Sequence, residues 1–195
     1  MRKAEIKRET KETNISVFVN LDGTGKNNIK TEIGFFKHML ETLSKHSLID
    51  IEMDIKGDLY VDPHHTIEDS GIVLGTAIKK ALGEKKGIKR SGYSIFPMDE
   101  SLAMVALDLS GRAYLKFDAE FNDFMVGDFP TDLTEDFFTA LANSIEANIH
   151  IKLEYGRNDH HKIEAIFKSF AKALRAAIEI DTRIENDVLS TKGVL

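Results

Sequence analysis

One short sequence occurs twice in this chain, and no other feature restricts its fold as strongly. Residues 64–68 read His-His-Thr-Ile-Glu, and residues 160–164 read His-His-Lys-Ile-Glu. Each copy opens a stretch with helical apolar spacing and follows an alternating stretch typical of a strand. Upstream of each strand, a helical stretch carries a Phe-Phe pair, at 35–36 and at 137–138. The shared order indicates an internal duplication, and it predicts two half-domains related by a pseudo-two-fold axis.

The two half-repeats are assigned to residues 1–86 and 87–195, and the polar, basic stretch 84–90 is the candidate linker. Residues 15–21 and 49–55 alternate apolar and polar side chains, as half-buried strands do. Helices that all lie on one face of mostly antiparallel sheets produce an α+β sandwich. We therefore predict an α+β fold with duplicated halves that together form one catalytic domain.

The repeated motif has the geometry of a metal ligand set. On a helix, His64 and Glu68 stand at i and i+4, one above the other, and so do His160 and Glu164. The second histidine of each copy points roughly 100° away from the first. Two such helices that face each other could build two metal sites. Each site would take a histidine and a glutamate from one helix and the spare histidine from the other.

A less specific interpretation also exists, because a histidine pair at a helix start is usually a solvated cap. Packing, however, gives no reason for three polar residues to recur in register. The chain has no cysteine, so a metal must be held by imidazole and carboxylate groups, which suit Mn, Fe, Zn, Co or Ni. Spacing alone favours an exposed His38 and a structural His150.

Composition excludes several classes of protein. With 42% hydrophobic and 30% charged residues, the chain matches ordinary globular proteins. A net charge of -6 and the lack of a long basic block argue against nucleic acid as a partner. No run reaches membrane-spanning length, and the first residues carry no apolar signal region. We expect a soluble, cytoplasmic protein without a membrane partner.

Several spaced motifs resemble those of one known family. They are Asp-x-His-His-x-x-Glu-Asp at 62–69, Pro-Met-Asp-Glu at 97–100, Asn-Asp-His-His-x-x-Glu at 158–164, and the tail from Ser190. Together with Arg-x-Thr-x-Glu-Thr at 8–13, they resemble imidazoleglycerol-phosphate dehydratase of histidine biosynthesis. The resemblance covers nearly the whole chain and keeps one order, which makes it far more specific than any single motif.

The resemblance implies a duplicated α+β unit that assembles from trimers into a large octahedral homo-oligomer. It also implies two Mn²⁺ ions per active site, at subunit contacts. One ion would be held by His38, His65, His160 and Glu164, and the other by His64, Glu68, His161 and the residue at 136. Many members have histidine at that last position, whereas this chain has Asp136. A carboxylate can bind Mn²⁺, so Asp136 is the expected ligand there; alone, it would be read as a solvated helix residue.

The implied reaction removes water from D-erythro-imidazole-glycerol phosphate to give imidazole-acetol phosphate. The proton to be lost is not next to a carbonyl, so the ring must assist: an imidazolate formed on two metal ions would expel hydroxide. Glu12 is the expected base for the C–H proton, although alone it would be read as a surface glutamate on a strand edge. His46 and Asp99 are candidates for proton handling or for positioning the substrate hydroxyls, and Glu164 is counted with the catalytic groups.

The phosphorylated imidazole substrate needs a local anion site. Arg90, Arg112 and Lys192 match the family's anion-binding positions, and Ser190 can add a hydroxyl. Alone, Arg90 could equally be a linker charge. The expected substrate contacts are completed by Glu12 and His46 and by ligand residues that also face the substrate: His38, His64, His65 and Glu68.

Two other functions fit the same ligand types. A dinuclear hydrolase would release phosphate from its substrate, whereas the dehydratase would retain it. A metal-binding or assembly protein without catalysis would be unaffected by the change Glu12→Gln.

Overall fold

Two four-stranded sheets repeat one topology along the chain. The structure, a computed structural model, describes residues 2–193. The first half contains β1 (Lys3–Glu9), β2 (Thr13–Asn20), β3 (Asn27–Lys30), α1 (Gly34–Ser47), β4 (Asp50–Gly57) and α2 (His64–Leu82). The second contains β5 (Ser91–Met98), β6 (Ser101–Asp108), β7 (Tyr114–Asp118), β8 (Met125–Val126), β9 (Phe129–Pro130), α3 (Leu133–Ile145), β10 (Asn148–Tyr155) and α4 (Asp159–Ile178), and a short 3-10 turn (Thr182–Ile184) follows.

The strand order is the same in both sheets. The first sheet runs β1-β2-β4-β3 and the second runs β5-β6-β10-β7. Neighbouring strands are antiparallel except for the pairs β3–β4 and β7–β10, which are parallel. The short hairpin of β8 and β9 has no counterpart among the elements of the first half. The predicted α+β sandwich with two similar halves is confirmed.

The helices pack across the two halves. α2 lies against α3 and α1 lies against α4, so each helix of the first half contacts a helix of the second. Gly71 and Gly75 permit the close α2–α3 contact, because an added Cβ would lie 2.6 and 2.8 Å from carbonyl oxygens of α3. This arrangement brings the start of α3 beside the start of α2, and it aligns α1 along α4.

Aromatic side chains fill the centre of the molecule where the halves meet. The rings of Phe36 and Phe137 lie 5.4 Å apart, and Phe137 stacks on Phe167 at 5.4 Å. Phe138 contacts Phe167 and Phe170 in turn. These rings belong to α1, α3 and α4 and are completely buried. Large aromatic groups at this density make a dominant contribution to core stability.

The repeated motif lies in the first turn of α2 and of α4. Asp62 accepts a hydrogen bond from the backbone N–H of His64 at 2.8 Å, and Asn158 accepts one from His160 at 2.9 Å. Side-chain oxygens at these positions satisfy N–H groups that have no partner within the helix. Pro63 lies at the cap position of α2, which begins at His64, whereas Asn158 itself caps α4. In each copy, the residue two positions before the first histidine therefore supplies a side-chain oxygen to the start of the helix.

The stretch predicted as a polar linker is partly built into the second half. Ile88 is buried and pairs with Ile180 in an isolated β-bridge. Lys85 is also buried, and its Nζ donates to the carbonyl oxygen of Leu109 at 3.0 Å. Among the described residues, no helix is both long and apolar enough to cross a membrane. The domain boundary at residue 86 stays a prediction.

Candidate metal centre

A first cluster of metal-ligand groups forms where α1 passes the start of α4. Glu164 Oε2 lies 3.2 Å from His160 Nε2 and 3.7 Å from His38 Nε2. One ligand atom from each residue lies within 4.8 Å of the others. Spacing alone favoured an exposed His38. Its side chain is half exposed, but it joins this cluster because α1 packs along α4.

Glu164 is a mostly buried carboxylate held in its ionised form. Its Oε1 accepts a hydrogen bond from Lys168 Nζ at 2.7 Å, which leaves Oε2 facing the two histidines. Burial would raise the pKa of Glu164, but Lys168 and the nearby His38 and His160 lower it overall. A charged carboxylate beside two imidazoles is a typical ligand set for a divalent transition metal.

A second group of candidate ligands lies at the start of α2, beside α3. His64 Nε2 lies 4.0 Å from Glu68 Oε2, and His64 Nδ1 lies 3.8 Å from Asp136 Oδ2. Glu68 and Asp136 therefore approach different nitrogens of one ring. Among the described residues, only the first cluster offers three ligand atoms within 4.8 Å of one another. The second group is therefore more open than the first.

The second histidine of each motif points away from both groups. His65 Nδ1 lies 3.1 Å from Asp58 Oδ2 and 3.9 Å from Glu12 Oε2. His161 Nδ1 lies 2.7 Å from Glu100 Oε2, and its Nε2 lies 3.7 Å from Asp99 Oδ2. Within one chain, each motif helix therefore supplies one histidine to a local ligand group and presents the other elsewhere.

Hydrogen bonding shifts the pKa of two groups around these second histidines. The pKa of Glu100 falls to about 2, chiefly because the carboxylate accepts a hydrogen bond from the backbone N–H of Asn158 and also bonds to His161. The Asp58 carboxylate raises the pKa of His65 above its ordinary value. These are the directions expected when a hydrogen bond favours the charged form of each group.

Glu12 lies in the turn of residues 10–12 between β1 and β2. Thr10 N–H donates to the carbonyl oxygen of Thr13 across this turn at 2.9 Å. The turn is tied to α2 by Asp69, whose side chain is 9% exposed. Asp69 accepts hydrogen bonds from Thr13 Oγ1 at 2.5 Å and from Arg8 Nε at 3.0 Å. This buried network places Glu12 beside His65.

His46 lies further along α1, facing α4. Its ring packs against the ring of Phe96, with centroids 5.6 Å apart. Burial lowers the pKa of His46, and the positive charges of Lys168 and Lys172 lower it further. A histidine in this setting is neutral at neutral pH, so it can accept or donate one hydrogen bond at each nitrogen according to its tautomer.

Two of the candidate anion-binding residues, Arg90 and Ser190, are remote from the first ligand cluster within one chain. Arg90 pairs with Asp108 at 2.7 and 2.9 Å and donates to the carbonyl oxygen of Leu189. It shares a surface cavity of about 750 Å³ with Ser190. The backbone N–H of Arg90 bonds to Ala177, near the end of α4. His160 and Ala177 are seventeen positions apart in the sequence, or about 26 Å along a helix.

Comparison with known proteins decides between the functions that these groups allow. The sequence profile of the family described as imidazoleglycerol-phosphate dehydratase matches residues 31–174. The chain belongs to the imidazoleglycerol-phosphate dehydratase family. A relative of that name from Acetivibrio thermocellus is 55% identical over 194 residues, which cover 100% of this chain and 99% of the relative. One from Clostridium acetobutylicum is 55% identical over 98% of this chain and 97% of its own length.

Solved structures of the imidazoleglycerol-phosphate dehydratase family share the fold. The Staphylococcus aureus enzyme superposes with a TM-score of 0.83 at 37% identity, covering 92% of this chain and 99% of that one. The Pyrococcus furiosus enzyme gives 0.82 at 37% identity, covering 97% and 100%. The chain is thus a dehydratase of histidine biosynthesis, a carbon–oxygen hydro-lyase, and the hydrolase alternative is set aside.

The structure brings together only part of the predicted dehydratase site. His38, His160 and Glu164 meet, His64 lies beside Glu68 and Asp136, and His65 lies beside Glu12. Other predicted residues stay apart in the single chain: Arg90 and Ser190 at the far end of α4, Arg112 exposed near the start of β7, and Lys192 exposed in the tail.

Sequence reasoning missed the residues that hold the functional side chains in place. They are Asp58, Asp69, Glu100 and Lys168. Glu100 stands in the Pro-Met-Asp-Glu motif, where only Asp99 was given a role, and Asp58 lies outside every motif named above. A search for carboxylates that could orient each metal-binding histidine could have drawn attention to both.

Proposed function

We propose that this dehydratase is Mn²⁺-dependent and uses two ions per active site. The observation that carries the proposal is the cluster of His38, His160 and Glu164, whose ligand atoms lie within 4.8 Å of one another. Imidazole and carboxylate ligands suit Mn²⁺, and the chain has no thiol that would favour a softer metal. Glu164 is 6% exposed, so a cation there would offset a buried negative charge.

The residues fit a second ion less completely within one chain. His64, Glu68 and Asp136 provide one imidazole and two carboxylates at the start of α2. His65 and His161 are the remaining ligand candidates, and each faces away from its local group. We propose that His65 completes the first cluster and His161 the second, each at a contact between subunits.

Separation within the chain supports a shared active site. The first ligand cluster and the Arg90 cavity lie at opposite ends of α4, too far apart for one small substrate. A neighbouring subunit could bring its own Arg90, Arg112, Ser190 and Lys192 to the ligand groups and so bind the substrate phosphate. We propose a homo-oligomer built from trimers into a large octahedral particle, with active sites at subunit contacts.

The charged substrate cannot cross a lipid bilayer unaided, which supports a cytoplasmic location.

The chain's own residues have distinct roles in the proposed reaction. Bound metal ions would supply polarisation of the substrate's imidazole ring, which favours loss of a ring proton. Glu12, which lies in a turn fixed by Asp69, acts as the carboxylate base that takes the C–H proton of the substrate. Asp99 and His46, which is neutral, hold the substrate hydroxyls, and they transfer the proton that converts the departing hydroxide to water as its C–O bond breaks. Arg90 and Lys192 bind the phosphate, which is retained in the product.

The test is an assay of the full chain with Mn²⁺ and with a chelator. We expect an acetol ketone product with no free phosphate, activity that requires Mn²⁺, and near-complete loss in Glu12→Gln. Light scattering should show small oligomers in the chelated sample and a large particle after Mn²⁺ is restored. Exposed Glu52, on the outer face of β4, gives the matched variant Glu52→Gln, which should retain activity. Full activity in chelator would overturn the metal requirement, and a particle size indifferent to Mn²⁺ would overturn metal-driven assembly.

A further inference from the structure

The second histidines of the two motifs are held through the same ring atom. Asp58 Oδ2 lies 3.1 Å from Nδ1 of His65, and Glu100 Oε2 lies 2.7 Å from Nδ1 of His161. The Asp58 side chain is 9% exposed. Glu100 is more open, but its other oxygen accepts the backbone N–H of Asn158 at 2.9 Å. Burial thus confines the Asp58 carboxylate, and a second hydrogen bond holds the Glu100 carboxylate.

A carboxylate at Nδ1 determines what the other nitrogen can do. A neutral imidazole carries one N–H and one lone pair, and an ionised carboxylate can only accept a hydrogen bond. Nδ1 of each histidine must therefore carry the proton, and Nε2 must present its lone pair. A lone pair at Nε2 is what a metal ion needs from histidine.

The two halves provide this carboxylate from different places. Glu12 and Glu100 are equivalent, since each lies in the turn between the first two strands of its sheet and directly precedes the second of those strands. Glu100 hydrogen-bonds to its histidine, whereas Glu12 stops 3.9 Å short of His65. In the first half Asp58 takes the place at Nδ1.

The position equivalent to Asp58 cannot perform this task in the second half. Gly57 pairs with Thr13, the first residue of β2, and Gly156 lies against Ser101, the first residue of β6. The residue after Gly57 is Asp58, and the residue after Gly156 is Arg157. Arginine has no acceptor for an imidazole N–H. A carboxylate at Nδ1 of the second histidine is thus supplied from non-equivalent positions in the two halves. Duplication of one ancestral contact does not explain this.

We propose that Asp58 and Glu100 are positioning residues that fix the tautomer and orientation of His65 and His161, so that Nε2 of each is the metal-binding nitrogen. The inference rests on the proposed two-metal function. It adds that Asp58, by occupying Nδ1 of His65, leaves the carboxylate of Glu12 available for the substrate. Asymmetry between the halves therefore separates a positioning glutamate, Glu100, from a reacting one, Glu12.

The first test reads the tautomers directly in metal-free full-length protein. Histidine ¹⁵N shifts are recorded at about pH 9, well above the ordinary histidine pKa. We expect the Nδ1–H form for both His65 and His161. Asp58→Ala should move His65 towards the Nε2–H form and leave His161 unchanged, and Glu100→Ala should do the reverse. Asp58→Asn keeps an acceptor oxygen and should restore much of the Nδ1–H form. The control Glu52→Gln should alter neither ring.

The second test measures Mn²⁺ affinity by calorimetry. Loss of a carboxylate that orients a metal-binding histidine weakens metal binding by about 10- to 100-fold, so Asp58→Ala and Glu100→Ala should each lose that much. Asp58→Asn should lose less. Circular dichroism should confirm that each variant is folded. If Asp58→Ala is unfolded, Asp58→Asn replaces it, and if Glu100→Ala is unfolded, Glu100→Gln replaces it.

The two tests separate this inference from the proposed function. Nε2–H tautomers in the wild-type metal-free protein, or tautomers unmoved by Asp58→Ala and Glu100→Ala, would overturn the positioning role even if Mn²⁺ binds and water is eliminated. Correct tautomers in a protein that binds no Mn²⁺ would instead refute the metal proposal and, with it, the purpose assigned to these carboxylates.

Discussion

The carboxylate of Asp136 lies 3.8 Å from Nδ1 of His64, while Glu68 faces Nε2 of the same ring at 4.0 Å. The two carboxylates are thus divided between the two nitrogens. The proposed second metal site includes a ligand at position 136. The side chain at this position is close enough to His64 to influence it either as a ligand or as a partner of its ring.

The change Asp136→His should raise the affinity for divalent ions at the α2 group, and more for Zn²⁺ than for Mn²⁺. Imidazole suits Zn²⁺ better than a carboxylate does, whereas Mn²⁺ readily accepts oxygen ligands. Calorimetric titration of metal-free protein with each ion measures the effect. Glu135→His, one residue earlier on the exposed surface of α3, is the matched control. An isotherm identical to that of the unchanged protein would remove Asp136 from the metal site.

Replacing Lys168 by methionine should weaken metal binding most at acidic pH. Lys168 holds Glu164 at 2.7 Å and helps to lower its pKa, against the opposing effect of burial. Without that charge the pKa of Glu164 rises, so protons compete with the metal at a higher pH. We expect about tenfold weaker Mn²⁺ binding near pH 5.5 and a smaller loss near pH 7.5. Lys172→Met, one turn later, serves as the control; an equal loss in both variants would contradict the assigned pairing.

The contribution of Glu100 to stability should disappear in acid. Its pKa lies at about 2 in the folded protein, below the ordinary 4.5. A lowered folded-state pKa stabilises the protein fully above pH 4.5, and this stabilisation is lost progressively as the pH falls towards about 2. Thermal melts of the chain and of Glu100→Gln should therefore differ at neutral pH and converge in acid. A constant difference across the range would rule out ionisation of Glu100 as the cause.

Asp69→Asn should reduce turnover without a matching loss of metal affinity. The buried Asp69 anchors Thr13 and Arg8 and thereby the turn that carries Glu12. Weakening hydrogen bonds to a charged group costs about 1.5–3 kcal/mol of folding free energy, so Tm should fall as well. Steady-state kinetics and Mn²⁺ titration separate the two effects. The exposed Glu9→Gln provides a surface control; unchanged turnover in a destabilised Asp69→Asn would show that the turn does not depend on this anchor.

Much of the fold could be predicted because its strands and helices are strongly patterned. Ile15, Val17 and Val19 are buried on one face of β2, and Ile149 and Ile151 on one face of β10. The motif helices begin within a residue of their predicted starts. The hairpin of β8 and β9 was not predicted, because two-residue strands such as Met125–Val126 are too short to show a period.

The site was less predictable, since its groups come together through tertiary packing. The spacing from His38 to His160 carries no information until α1 packs along α4. Asp58 and Glu100 precede their histidines by seven and by sixty-one residues, so no common sequence rule locates them. The repeated His-His-x-Ile-Glu motif could be recognised because both ligands of each pair lie on one helix.

The packing of helices across the two halves has a consequence for how this chain can be divided. Since α1 rests on α4 and α2 rests on α3, neither half-repeat can cover its own apolar surface alone. A polypeptide severed between α2 and β5 would yield two fragments that are each insoluble or molten in isolation and that regain order only as a complementing pair. An ancestral single-repeat protein would have met the same requirement by self-association, with duplication later joining the two partners in one chain.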